Sequence, residues 1–191
     1  NQNELIRIIN TTLFINDRPT AFRYPRGTGE LDTSDNNFDP IEIGKGVIIE
    51  EGNDLAILNL GSRLQSCWEA IKLLNNKGIH PTLADARFAK PIDKDLLDLL
   101  LDNHKYLLTI EEGSIGGFSS SVLNYIHNER IKITSTKVKN IFFPDTFIDH
   151  QSSEAQYAEI GMDAESIVKK VRQIYEDNIL DFQSYNQNKR N

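Results

Sequence analysis

The chain is poor in cysteine: Cys67 is the only one among 191 residues. No intrachain disulfide can form, which suits a reducing compartment and places the expectation in the cytoplasm. Long apolar runs are missing as well, so no segment has the length of hydrophobic chain that crosses a bilayer as a helix. The opening residues, NQNELIRIINTTLF, have no basic stretch leading into an apolar core and do not read as a secretory signal. Positive charge is in deficit, with 21 Lys and Arg against 28 Asp and Glu and a net charge of −7, which argues against a general nucleic-acid binder. The usual chemical signatures are absent too. There is no P-loop and no GxGxxG, so neither nucleotide fingerprint applies. Without HExxH or paired Cys/His ligands no catalytic zinc is expected, and without GxSxG no serine-hydrolase elbow.

What is there is enough apolar material for a packed core, 39% of the chain. Residues 3–14 read as a helix with Leu5, Ile8, Ile9 and Leu13 on one face, and residues 20–24 as an extended segment ending at Pro25. A lone helix and strand cannot bury their own faces, so this pair is expected to belong to a sheet whose other strands lie outside the chain. Because residue 1 is Asn, the numbering is expected to begin inside a longer protein. Residues 27–40 are polar and read as a linker. From residue 45 onward short apolar strands alternate with helices. LAILNLGS is a strand stopping at Gly61, after which Ser62 and Gln65 have the spacing of a capping box. Leu64, Cys67, Ile71 and Leu74 continue that helix. HPTLADARF is the next strand; Pro91 stops it, Asp93 caps a helix, and Leu96, Leu97, Leu99 and Leu100 line it. YLLTIEEG and KVKNIFFP are two further strands, separated by a helix that Gly116-Gly117 opens. Helices over residues 153–160 and 163–176 close the set. Such alternation implies a mostly parallel sheet covered on both faces, a three-layer α/β domain over residues 43–177. The Asn- and Gln-rich tail, residues 178–191, is expected to be frayed.

Few residues point to chemistry. Cys67 lies among apolar helix positions and reads as a buried, inert thiol. His80, His104, His127 and His150 are scattered, and surface or capping roles suit them; His150 is the least bland, at the end of the Asp- and aromatic-rich FPDTFIDHQ. Asp85 and Arg87 stand at the end of a parallel strand, where α/β sheets bind ligands, or else clamp the turn into Lys90-Pro91. Glu111 and Glu112 either present carboxylates near a helix N-terminus, or the glycines that follow simply allow close strand–helix packing. Arg26, between Pro25 and Gly27, has a constrained backbone from which its guanidinium could be aimed at a phosphate, or at a strand-end carboxylate.

Taken in order, AFRYPRG, IGKG, LAILNLGS, DARFAKPID, TIEEGSIGGFSSSV and FPDTFIDH with GMDAESI resemble the C-terminal third of the 1-deoxy-D-xylulose-5-phosphate synthase family, transketolase-like thiamin-diphosphate enzymes. The resemblance runs from about residue 3 to residue 171. It implies that residues 1–29 are the last helix and strand of a pyrimidine-binding domain, residues 30–42 a linker, and residues 43–177 a transketolase C-terminal-like domain. It further implies a homodimer that condenses pyruvate with glyceraldehyde 3-phosphate, releasing carbon dioxide, at the entry to isoprenoid precursors and thiamin. Within PRG, Arg26 matches the family's substrate-phosphate-binding arginine; Arg23 and Tyr24 carry no transferable role. The same resemblance places the ligands of thiamin diphosphate and Mg2+, and the catalytic residues, before residue 1, so that this piece would not be active alone. Gln151 stands where the family pattern has glycine, and the tail passes the family's usual end. The rival expectations are a transketolase or 2-oxo-acid dehydrogenase β-subunit-like chain, and a non-catalytic α/β assembly domain.

Overall fold

The computed structural model describes residues 2–25 and 37–188 of the chain. Five strands form one sheet in the order β1-β3-β2-β4-β5. They are β1 (Val47–Glu50), β2 (Leu55–Leu60), β3 (Thr82–Asp85), β4 (Tyr106–Glu111) and β5 (Lys137–Ile141). β2 pairs in parallel with both β3 and β4, and β4 in parallel with β5, while β1 runs antiparallel along β3. The central strands are buried along nearly their whole length and the two edge strands are not, as the apolar runs of the former require.

Alternation along the strands sorts the core into two layers. Leu55 and Ile57 of β2, with Leu108 and Ile110 of β4, pack under α2 (Leu64–Asn75) and α6 (Ala164–Asn188), through Cys67, Ile71, Leu74, Ile167 and Val171. Ala56 and Leu58, with Leu107, face the other way, onto α3 (Lys94–Asn103) and α4 (Phe118–Asn124). Each fully buried leucine here removes enough apolar surface from water to contribute roughly 1.5–3 kcal/mol. A π-helical turn, Tyr125–Glu129, continues α4, and a short α5 (Ser153–Glu159) precedes α6. Leu99, expected on the inner face of α3, is instead exposed. Its position is out of step with Leu96, Leu97, Leu100 and Leu101, which turn inward at helical spacing. α6 continues as helix to Asn188 rather than breaking at Asp177, for residues 178–188 contain neither proline nor glycine.

The N-terminal helix α1 covers Gln2–Thr12. Its apolar side is only partly covered by the described residues: Leu5, Ile6 and Ile8 are half-buried, Ile9 and, just past the helix, Leu13 and Phe14 are exposed, whereas Asn3 and Thr11 are buried. Polar contacts hold it on the domain. Arg7 Nε donates to Asp39 O (3.0 Å), Asn10 Nδ2 to Phe38 O (2.8 Å), and Ile41 N to Thr11 Oγ1 (2.8 Å). Residues 20–24, expected as a strand, are in no sheet; an extended segment becomes a strand only through a hydrogen-bonded neighbour.

The two caps expected from sequence have opposite outcomes. Asp93 is the N-cap of α3, accepting from Leu96 N (3.1 Å). Its other oxygen accepts from Gly46 N (2.9 Å), and Lys45 Nζ lies 3.6 Å away, so one carboxylate joins helix α3 to the IGKG loop. Gly46 is required there: a Cβ would sit 2.7 Å from Asp85 O. Ser62 does not cap α2. The turn at Gly61 (φ +91°) starts the helix one residue later, at N-cap Arg63, and Ser62 Oγ is buried without a hydrogen-bond partner. Gln65 bonds Glu69 Oε1 instead (3.0 Å). From this arrangement Asp93→Ala should destabilise the chain by about 1–2 kcal/mol, and Asp93→Asn, which keeps the acceptor for Leu96 N and loses the one for Gly46 N, by less. Urea denaturation midpoints read the difference; equal losses from the two variants would remove the carboxylate's capping role.

Candidate functional site

The carboxyl ends of β2, β3 and β4 converge at one edge of the sheet. β2 leads into α2 on one face and its neighbour β4 leads into α4 on the other, so the chain diverges between two adjacent strands. Open α/β sheets bind ligands in the crevice that such a divergence creates. Here the crevice is lined by residues 61–63 after β2, Asp85 to Arg87 after β3, and Glu111 and Glu112 after β4.

Glu111 is buried, and its carboxylate takes up the N-terminus of α4. Phe118 N donates to Oε2 (2.8 Å), and Ser119 N and Oγ donate to Oε1 (2.7 and 2.8 Å). Three donors and the positive end of the helix offset the cost of removing a carboxylate from water. The glycines of GSIGG are bound to this arrangement, because a Cβ on Gly113 or on Gly117 would lie 2.5 Å from Glu111 Oε2. The two readings of this segment therefore describe one structure: the carboxylate sits at the helix end, and the glycines are what let it sit there.

Glu112 faces the other way. Arg63 Nε lies 2.8 Å from its Oε1, and the Arg63 guanidinium stacks 3.4 Å above the Tyr157 ring. The Arg63–Glu112 contact is an ion pair by distance without aligned hydrogen-bond geometry, since neither buried atom has a hydrogen-bond partner. Burial, and then the bond to Glu112, push the Tyr157 phenol above the ordinary tyrosine range. Arg63 was not distinguished by sequence. The one signal was its place just past the end of a central parallel strand, since its partners stand 49 and 94 residues further along.

After β3, Asp85 Oδ1 accepts the backbone N–H of Arg87 (2.9 Å), which holds Arg87 at φ +56°. The turn-clamp reading of Asp85 is thus the observed one. The Arg87 side chain leaves the turn and pairs with Glu4 of α1 (2.9 Å), which also pairs with Arg7 (2.9 Å). Burial, outweighing the nearby Arg87, pushes the Asp85 carboxyl above its ordinary value. Arg23 Nη2 donates to Glu112 O (3.3 Å), so the N-terminal segment is tied to this same edge at two places. The edge works as a joint: its carboxylates are committed to a helix end, a turn N–H and a guanidinium group, and no general acid–base pair stands free among the described residues.

Arg26 lies outside the described residues. The histidines are not brought together: His80 bonds Asn75 Oδ1 (3.0 Å), His104 joins Thr82 Oγ1 (2.7 Å) to Leu100 O (2.9 Å), and His127 and His150 are exposed. Cys67 is buried, with its thiol pushed up to about 12 by desolvation. Among the described residues no three His, Cys, Asp or Glu side chains form a metal-sized cluster. With Glu111 and Glu112 committed, this edge does not fit thiamin diphosphate or its Mg2+. No helix among the described residues is long and apolar enough to cross a membrane.

Residues 44–167 match the family model described as transketolase, C-terminal domain. The chain belongs to this family. Its fold is similar to a solved structure titled "Split gene transketolase, inactive beta4 tetramer", with a TM-score of 0.62 and 30% identity over 70% of this chain. The chain spans 43% of that protein's length. Family membership accounts for the mostly parallel five-stranded sheet of the described residues.

Two outcomes test this geometry. Glu111→Ala, which leaves three buried donors unpaired, should cost about 3–5 kcal/mol of stability. Gly117→Ala should also destabilise, and the double variant should lose less than the sum, because the clash goes with the carboxylate. Strict additivity in denaturation would contradict the contact. For Asp85 the fold disfavours the charged form, so stability contributed by this group falls as pH rises through its folded value. Asp85→Asn, whose amide oxygen can still accept from Arg87 N, should be more stable than the parent at pH 7. That advantage should vanish below the ordinary aspartate value of 3.8. A difference independent of pH would show that Asp85 is not the titrating group.

Proposed function

We propose that this chain is the C-terminal portion of a thiamin-diphosphate-dependent synthase. The complete enzyme condenses pyruvate with glyceraldehyde 3-phosphate to 1-deoxy-D-xylulose 5-phosphate and carbon dioxide, at the entry to isoprenoid precursors. The observation that carries this reading is the ordered series of motifs from AFRYPRG to FPDTFIDH on a chain of the transketolase C-terminal family. In it, Arg26 binds the phosphate of the acceptor. A guanidinium held between Pro25 and Gly27 matches a phosphate with two parallel hydrogen bonds, and holding the acceptor by its phosphate turns encounter into position. The joint at the carboxyl edge supports the role, since Arg23, three residues before Arg26, is tied to Glu112 O. The ligands of thiamin diphosphate and Mg2+ belong, in this reading, to the rest of the enzyme, a cytoplasmic homodimer, and no catalytic residue to this chain.

A second reading rests on the split-gene transketolase neighbour: a chain that acts with a separate partner subunit and moves a two-carbon unit between sugar phosphates. Assaying the complete enzyme with pyruvate and glyceraldehyde 3-phosphate, and separately with ketose and aldose phosphates, distinguishes the two. On the first reading Arg26→Ala lowers kcat/KM for glyceraldehyde 3-phosphate by about 1.5–3 kcal/mol, and changes it little for unphosphorylated glyceraldehyde. An equal loss for both acceptors would end the phosphate role of Arg26. Turnover with sugar phosphates but not with pyruvate would favour the second reading.

A further inference from the structure

Away from the carboxyl-edge joint, a groove of about 410 Å³ opens between the end of β5 and helix α6, with the α5–α6 turn closing one side. β5 is the last strand of the sheet, and among the described residues it pairs only with β4, so its outer edge has no strand partner among them. On the opposite wall Ser166, Lys169, Lys170 and Gln173 follow at i, i+3, i+4 and i+7, the spacing that brings side chains to one face of a helix. Ile141, Phe142 and Ile160 add apolar side chains to the lining.

The charge in this groove departs from the rest of the chain. On a protein of net charge −7, neither Lys169 nor Lys170 is ion-paired among the described residues. Strand alternation puts a third lysine on the same side: Ile141 packs into the α2–α6 core layer, so Lys139, two residues earlier, shares its face. Lys139 is likewise unpaired. The one carboxylate in the lining, Glu159, accepts a hydrogen bond from Gln151. Ammonium, hydroxyl and amide donors beside apolar side chains, in a volume of ligand size, make a receptor for a molecule rich in acceptor oxygens.

We infer that this groove is a binding site for a small organic dianion, a phosphate monoester or a dicarboxylate. Its charged groups lie between Lys169 and Lys170, and its carbon skeleton rests on Ile141 and Ile160. The site is independent of Arg26 and of the reaction proposed above. Because the lysines reach water, affinity is in the millimolar range and falls with added salt.

Calorimetric titration of the 191-residue chain with glycerol 3-phosphate, succinate and uncharged glycerol tests the inference. Saturable binding of at least one anion is expected, with no binding of glycerol; the preferred anion tells phosphate from dicarboxylate. The Lys169→Ala/Lys170→Ala double variant should bind about tenfold more weakly or worse. Lys77→Ala, an exposed lysine far from the groove in sequence, should bind as the parent does. Binding of neither anion, binding of glycerol as tight as theirs, or an equal loss in Lys77→Ala would overturn the site. All the substituted lysines are surface side chains, so unchanged circular dichroism keeps each comparison within folded protein.

Discussion

The buried carboxylate of Glu111 is the contact on which the carboxyl edge of this molecule depends. It ends the most completely buried strand and begins a helix on the far face of the sheet, taking hydrogen bonds from Phe118 N, Ser119 N and Ser119 Oγ. A charge so placed leaves the connecting loop little freedom, and only glycine fits at residues 113 and 117. Once that loop is held, Gly113 O is in place for Phe143 N (2.7 Å), which draws in the β5–α5 loop. Glu112, next along the chain, is in place for Arg63, Tyr157 and Arg23.

From that anchor the edge becomes an attachment surface. In many doubly wound sheets the divergence between two adjacent strands holds a ligand. Here its polar groups hold protein: Arg87 takes Glu4, and Glu112 takes Arg63 and the Arg23 side chain. Charged partners so joined specify an orientation as well as a contact, whereas Ile9 of α1 and Leu13 just after it stay exposed. The same commitment of carboxylates explains why the edge has no free acid–base pair among the described residues.

Much of the fold was legible along the chain, because its signals are local. Apolar runs bounded by turn residues marked β2 and β4, Asp93 followed three residues later by Leu96 marked the start of α3, and the alternation of elements marked the parallel sheet. The Ser62–Gln65 spacing failed for a physical reason. A capping box needs Ser at the N-cap itself, and the positive φ of Gly61 moved the helix start to Arg63. The edge residues were partly legible. Glu111 and Asp85 were seen as strand-end carboxylates, each with two readings that local sequence could not separate.

What the sequence by itself determined is the order of elements, the mostly parallel sheet with two covered faces, and the transketolase-like character of the C-terminal domain, because periodicity and motif spacing are properties of neighbours along the chain. What only the tertiary structure decided is which charged groups meet. Arg87 and Glu4 are 83 residues apart, Arg63 and Glu112 are 49 apart, and Lys169 and Lys170 of α6 come to line one groove with the end of β5 only once both elements pack on the sheet. Such pairs carry no mark in local sequence. An arginine with a buried partner and one in open water have the same neighbours in the chain, and the burial that makes the difference arises only when distant strands come together.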